Sequence, residues 1–262
     1  MKSTDKKIFF LVAMPRSGNT LFASIMNQNS DVAVTANSVT LEIIKQLFLL
    51  KQTDVFQNYP DHQSLDNVSN VVFDSYYKDW PQKYIIDRGP VTTPGNLNLM
   101  KQHFNQPIKC VVILRDLLDV VASWIKYAVK NPNNFIRKQT KTIDEALEML
   151  MLKDSQITKD LIAIENLMKP ENKHMACFIK YDELVFNPEK TINKVYQFLD
   201  IPYFKHNFNN LNQFKVNGLS YVDNVLGDNL HTIRTNEISK EDNPYKKLIP
   251  KWFINKYEHI KF

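Results

Sequence analysis

The chain has 262 residues, 44% of them apolar, and its 33 Lys and Arg against 28 Asp and Glu leave a net charge of +5. That length buries a substantial core, and so mild and scattered a cationic excess excludes nucleic acid as the expected partner while suiting an anionic ligand. No run nears the ~20 apolar residues of a membrane span and residues 8–14 are too few for a secretory signal, so a cytoplasmic protein with no membrane span is expected.

Residues 7–13 read as a fully buried strand that breaks into Pro15-Arg16-Ser17-Gly18-Asn19-Thr20, after which residues 18–27 take helical spacing with Leu21, Phe22, Ile25 and Met26 inward. A short strand at 32–35 precedes an amphipathic helix marked by Leu41, Ile44, Leu47 and Phe48. Residues 52–82 are polar, with one helix expected around 71–78. Residues 83–87 form the next strand, followed by a loop with Pro90, Pro94 and Gly95 and a helix at 97–104. Residues 108–114 are an apolar run, broken by Lys109 alone, ending at Arg115, and Asp116 caps a helix whose inward face carries Val120, Trp124 and Ala128.

Residues 143–168 read as one long helix or two joined ones, and residues 175–179 as the last strand. Asn187-Pro188-Glu189 supplies a cap, a first-turn proline and a first-turn acid, and Ile192, Val195, Tyr196 and Leu199 form the buried stripe that follows. Strands alternating with helices predict an α/β fold, a three-layer α/β/α sandwich around a mostly parallel sheet. Ligands of such sheets bind at the carboxyl ends of the strands, where the 15–20 turn and Arg115 both fall. Cys110 and Cys177 each sit in a short apolar segment and are expected as core thiols, with no metal site. His103, on a predicted helix, is expected at the surface, and Trp252, Phe253, Tyr257 and Ile260 fit a C-terminal docking helix.

A turn from strand into helix aims several backbone N–H groups at one point, and the helix dipole adds positive potential there. Arg16 contributes a permanently charged fork, Gly18 permits close backbone approach, and Ser17, Asn19 and Thr20 bring short hydrogen-bonding side chains. The G-x-x-x-x-G-K-[ST] loop of nucleoside triphosphatases is absent, which disfavours a triphosphatase or kinase. The turn resembles instead the 5′-phosphosulfate loop of the sulfotransferases that use 3′-phosphoadenosine 5′-phosphosulfate (PAPS) as donor.

Two further stretches carry the same resemblance, which spans residues 7–202. "VVILRDLLDVVAS", residues 111–123, is similar to the family's strand-end arginine and helix serine, implying that Arg115 and Ser123 hold the 3′-phosphate. Asp116 and Ser123 are seven residues apart, near one helix face and about 10 Å from each other. "YDELVFNPEKTINKVYQFLDIP", residues 181–202, looks like the segment whose tyrosine, here Tyr181, lies near the adenine.

The resemblance implies a P-loop-like sulfotransferase fold over residues 1–262, with a nucleotide-binding core at about 7–202 and a lid and docking helix at about 203–262. It implies sulfuryl transfer from PAPS, leaving 3′-phosphoadenosine 5′-phosphate (PAP), to a hydroxyl of a small molecule, carbohydrate or peptide tyrosine, without a metal. Arg16 stands where many relatives carry lysine, so its part is the electrostatic stabilisation of the bridging oxygen and 5′-phosphate. Glu42 is the first candidate for the acceptor base, although spacing aligns the relatives' glutamate nearer Asn37, and a solvent-facing helix glutamate is the simpler reading. "IIDRGP" resembles an acid-lysine-x-proline loop beside the acceptor. In it Arg88 replaces the lysine and either contacts the sulfuryl group or an acidic acceptor, or closes a salt bridge. "LGDNLHTIRT", residues 226–235, lies where relatives close a loop over the nucleotide; Arg234 is placed to reach a phosphate, and for both Arg234 and His231 local structure is the simpler role. Two other functions stay open on sequence: a nucleoside or sugar kinase of related fold, and a nucleotide-binding module that kept the cradle without the base.

Overall fold

Strands form on the apolar runs of the sequence, with charged residues only at their ends: β1 (Lys7–Val12), β2 (Val32–Val34), β3 (Tyr84–Arg88), β4 (Cys110–Leu114) and β5 (Ala176–Lys180). The computed structural model describes residues 6–35, 37–131, 133–226, 230–233, 237–239 and 243–262. The five strands lie in the order β2-β3-β1-β4-β5, every neighbouring pair parallel, with Phe9 opposite Ile86, Leu11 opposite Val111 and Val111 opposite Cys177. Successive side chains of a strand face opposite sides of a sheet. Leu11 and Val12, Ile85 and Ile86, and Val111 and Val112 are all buried, so both faces are covered. All five expected strands are present, and the fold is the expected α/β class.

The strand order places the binding crevice. From β1 the chain leaves toward β2 on one side, and from β4 it leaves toward β5 on the other, so the two loops diverge at the carboxyl ends of adjacent strands. Such a switch point is where open parallel sheets hold ligands.

Two expectations change in detail, for residues 52–82 and for His103, and the 143–168 stretch takes the second of its two expected forms. Residues 52–82 hold three short helices, Asp54–Asn58, His62–Asn70 and Val72–Tyr77, rather than one. The first two are started by the Thr53 and Asp61 side chains, which accept from the Phe56 and Ser64 N–H groups, and so little of their surface is buried that no apolar period marks them. The 143–168 stretch is two helices, Ile143–Leu150 and Gln156–Met168, each opened by its own cap, Thr142 and Ser155. His103 is buried, not exposed, and its Nδ1 bonds Asn70 Oδ1 at 2.9 Å. The C-terminal helix Lys251–Tyr257 packs against the helix Leu117–Lys130, with Phe253 fully buried. Cys110 and Cys177 are unpaired and buried in β4 and β5. No helix among the described residues is long and apolar enough to cross a membrane.

Candidate active site

The loop after β1 is shaped by two left-handed residues, Arg16 at φ 72° and Gly18 at φ 96°. They lead into the helix Asn19–Met26, whose N-terminus has no side-chain cap, so its first N–H groups remain directed outward as an anion cradle. Pro15, Arg16, Gly18, Asn19 and Thr20 line a cavity of about 590 Å³ at the crevice. Ser17 departs from its expected place. Between two positive-φ residues its side chain turns inward, fully buried, and its hydroxyl has no partner among the described residues.

Gly18 is required by contact as well as by φ. A Cβ there would lie 2.7 Å from Cδ2 of Tyr181, so the tyrosine ring packs directly on the glycine. Gly18→Ala combines a left-handed backbone penalty of about 1–2 kcal/mol with displacement of that ring. The expected outcome is a lower melting temperature and weaker nucleotide binding, read by thermal shift with and without PAP.

Tyr181 is also the platform for the arginine at the end of β4. The Arg115 guanidinium sits 4.1 Å from the centroid of the Tyr181 ring, and its Nη1 donates to the Arg16 carbonyl at 2.7 Å. Arg16 Nε donates to Ser123 Oγ at 3.2 Å, with the guanidinium 5.7 Å from the Trp124 ring centroid. Ser123 is thus tied to Arg16, which links the loop after β1 to the helix that follows β4. The Asp116 side chain turns the other way and accepts from the Phe262 N–H at 3.3 Å. Among the described residues neither Arg16 nor Arg115 has a carboxylate partner. Trp124, which shares the cavity wall, carries a buried indole N–H without a partner among the described residues.

Arg88 ends β3, and it is locked. Its Nη2 donates to Asp160 Oδ2 and to the Ala13 carbonyl, both at 3.1 Å, and its Nη1 to Asn37 Oδ1 at 3.3 Å. The pair is buried, Arg88 at 8% and Asp160 at 1% exposed. Burial pushes the Asp160 carboxyl up to about 6 against the pull of Arg88 and Gln156. Next to it Asp87 is wholly buried and accepts from the hydroxyls of Thr35, Ser38 and Thr40, at 3.2, 3.0 and 2.5 Å. Burial raises its carboxyl above the usual range despite those bonds, and the cluster fastens the segment after β2 to β3.

Glu42 is not brought to the cavity. It is exposed on the helix Thr40–Leu50 and bonded to Lys45 at 2.9 Å and Gln46 at 2.8 Å, contacts that hold its carboxyl below the ordinary range. Asn37 stands at the wall instead, and an amide cannot take a proton at neutral pH. Arg234 lies outside the described residues. His231 does line the cavity, as do Leu230, Thr232 and Ile233 beside it.

Two cavity neighbours had no expected part in the site, Trp124 as a wall residue and Asp160, whereas Asn37 stands where spacing aligned the relatives' glutamate. Asp160 had a signal, since it falls between Ile157, Leu161 and Ile164 on the apolar stripe of its helix, where an acid needs a partner. Phe135, Met149, Leu150 and Ile157 give the wall an apolar part, and Gln139, Ser155 and Gln156 a polar one.

A family model described as the sulfotransferase domain matches residues 6–242. Among solved structures, the sulfotransferase domain from the curacin biosynthetic pathway is similar at 15% identity, covering 98% of this chain and 92% of that one, with a TM-score of 0.53. The sulfotransferase domain of the Synechococcus PCC 7002 olefin synthase gives 13% identity, 95% and 94% coverage and a TM-score of 0.49. Mouse sulfotransferase SULT7A1 complexed with PAP gives 20% identity and a TM-score of 0.48, covering 77% of this chain and 60% of that one, so the chain spans less than two thirds of its length. No curated protein matches. At 15% identity and a TM-score of 0.53, the likeness to the curacin-pathway domain speaks for the fold alone. Because the matched span takes in all five strands and both loops of the β1–β4 crevice, the chain belongs to the sulfotransferase domain family, a family of enzymes.

Proposed function

We propose that the protein transfers the sulfuryl group of PAPS to a hydroxyl of a small molecule, carbohydrate or peptide tyrosine, and that residues 1–262 act as one such domain with 203–262 over the site. The observation that carries this reading is the meeting, at one switch point, of an uncapped helix N-terminus with two arginines that have no carboxylate partner among the described residues. Those donors suit a ligand with two anionic ends, and the Tyr181 ring, already stacked by Arg115, suits an aromatic base between them. The orphaned Trp124 N–H adds a buried donor at the same wall.

In this reading the 15–20 loop and Arg16 hold the 5′-phosphosulfate, Arg115 and Ser123 the 3′-phosphate, and Tyr181 the adenine. PAPS, when bound, supplies an activated sulfuryl group on a phosphate leaving group. Arg16 places positive charge where negative charge grows, and being permanently protonated it acts electrostatically. Arg88 presents a fixed charge beside the acceptor, its direction set by Asp160. The walls of Trp124, Phe135, Met149, Leu150 and Ile157 exclude water and favour an acceptor with an apolar body.

Incubation with radiolabelled PAPS and a panel of phenols, alkanols, sugars and tyrosine peptides tests the proposal. Label in at least one acceptor supports it; PAP binding with no transfer to any member overturns it in favour of a binding module. The nucleotide site has its own check. A ligand at about 100 times its dissociation constant stabilises by roughly 2.7 kcal/mol, visible as a thermal shift. Arg115→Ala is expected to abolish the larger shift given by PAP over 5′-AMP, and an unchanged difference removes Arg115 from the 3′-phosphate site.

A further inference from the structure

Resting on the sulfotransferase reading, we propose that His231 is the base that takes the proton of the acceptor hydroxyl, with Asp223 as the residue that positions it. The cavity wall holds three arginines, which cannot accept a proton, and among the described residues lining it two side chains can: His231 and the exposed Glu237. Of these His231 is built into place. Its Nδ1 lies 2.5 Å from Asp223 Oδ1, and its main-chain N–H donates to Asp223 Oδ2 at 2.7 Å, so one carboxylate grips both ring and backbone. The ring stacks on Tyr221 at 4.6 Å and 29°. Gln213 brackets the segment, donating to the His231 carbonyl at 3.2 Å and accepting from the Ile233 N–H at 2.9 Å.

This arrangement fixes the tautomer. A neutral imidazole that donates its Nδ1 proton to a carboxylate carries its lone pair on Nε2, and no described residue bonds to Nε2. His231 is 16% exposed and Asp223 9%, enough for the ring to meet an acceptor while its partner stays sheltered. Tyr221 and Asp223 pack against the ring, and Arg16, Arg88, Arg115 and Glu237 share the cavity wall. In the transfer, the acceptor oxygen bonds to sulfur as the bond from sulfur to the nucleotide's 5′-phosphate oxygen breaks. The electron pair of that bond leaves with the phosphate, and the hydroxyl proton passes to His231 Nε2, leaving an imidazolium that Asp223 stabilises.

Two measurements on the full chain test this. In the PAP complex, nitrogen-15 NMR of labelled histidine is expected to show His231 with its proton on Nδ1, and Asp223→Asn is expected to shift that proton toward Nε2. Transfer from PAPS to 4-nitrophenol, 2-naphthol and 1-octanol then separates a base from a structural staple, because 4-nitrophenol above its own ionisation has no proton to remove. His231→Gln is expected to lose about 100-fold or more with octanol and naphthol, less than about tenfold with 4-nitrophenolate, and to keep PAP affinity within about threefold. Equal losses for all three acceptors, octanol transfer within about threefold of wild type, or a ring protonated on Nε2 would overturn the assignment of His231. Absence of transfer by the wild-type protein to every probe would instead overturn the parent reading, and this inference with it.

Discussion

Replacing Arg16 by alanine is expected to cut sulfuryl transfer by roughly 100- to 1,000-fold while the protein stays folded, a loss of about 2.7–4 kcal/mol of transition-state stabilisation. The fold should survive because the Arg16 side chain is only partly buried and, among the described residues, makes a single side-chain hydrogen bond, to Ser123. The loop itself is held from behind, by the Ser17 N–H and the Asn19 amide donating to the Met14 carbonyl, both at 3.2 Å, and by Arg115 on the Arg16 carbonyl. Arg16→Lys is expected to fall between wild type and alanine, since an ammonium keeps the charge but lacks the planar fork. Turnover numbers with PAPS and a shared acceptor, beside melting curves, check this; near-normal turnover of Arg16→Ala would take Arg16 out of the mechanism.

The largest stability effect is expected at Asp160. Asp160→Ala strands the Arg88 guanidinium in the interior, and breaking a buried pair from one side costs about 3–5 kcal/mol. Urea unfolding measures it. Since whole domains are stable by about 5–15 kcal/mol, the single variant is close to the limit, and the double variant Arg88→Met with Asp160→Leu gives the second reading. An apolar pair of similar volume is expected to restore most of the lost stability without restoring transfer. Recovery of transfer as well would mean that Arg88 is scaffolding alone.

The same pair predicts an unusual pH response. The Asp160 carboxyl titrates in the native state at about 6, above its ordinary 3.8, so between these values the folded chain binds a proton that the unfolded chain does not. Its contribution to stability therefore grows as pH falls through that window. Arg88 meanwhile loses its counter-ion, so transfer is expected to fall where this contribution to stability rises. Asp160→Asn is expected to flatten the stability component.

The five strands were legible because parallel strands covered on both faces need continuous apolar runs, and residues 8–13, 110–114 and 175–179 are such runs. The crevice was legible for a related reason: a turn between a strand and a helix can be read from residues 15–20 alone, and Arg115 marks the end of its own run. What could not be read were partnerships across the fold. Arg88 meets Asp160 across 72 residues, a distance that no local pattern encodes. Glu42 shows the converse, since helix position was right but the direction of the side chain depends on Lys45 and Gln46 rather than on any site. His231 and Asp223 are eight residues apart, a spacing that matches neither a predicted helix nor a predicted strand and so does not say that the two side chains meet.

The central claim is that cationic groups at the ends of β1 and β4 grip two anionic ends of one nucleotide. Calorimetric titration of the wild-type protein with PAP and with 5′-AMP tests it most directly. One charge-assisted hydrogen bond contributes about 1.5–3 kcal/mol, so PAP is expected to bind roughly 10- to 100-fold more tightly than 5′-AMP. Equal affinity for the two nucleotides, or no heat with either, would contradict it.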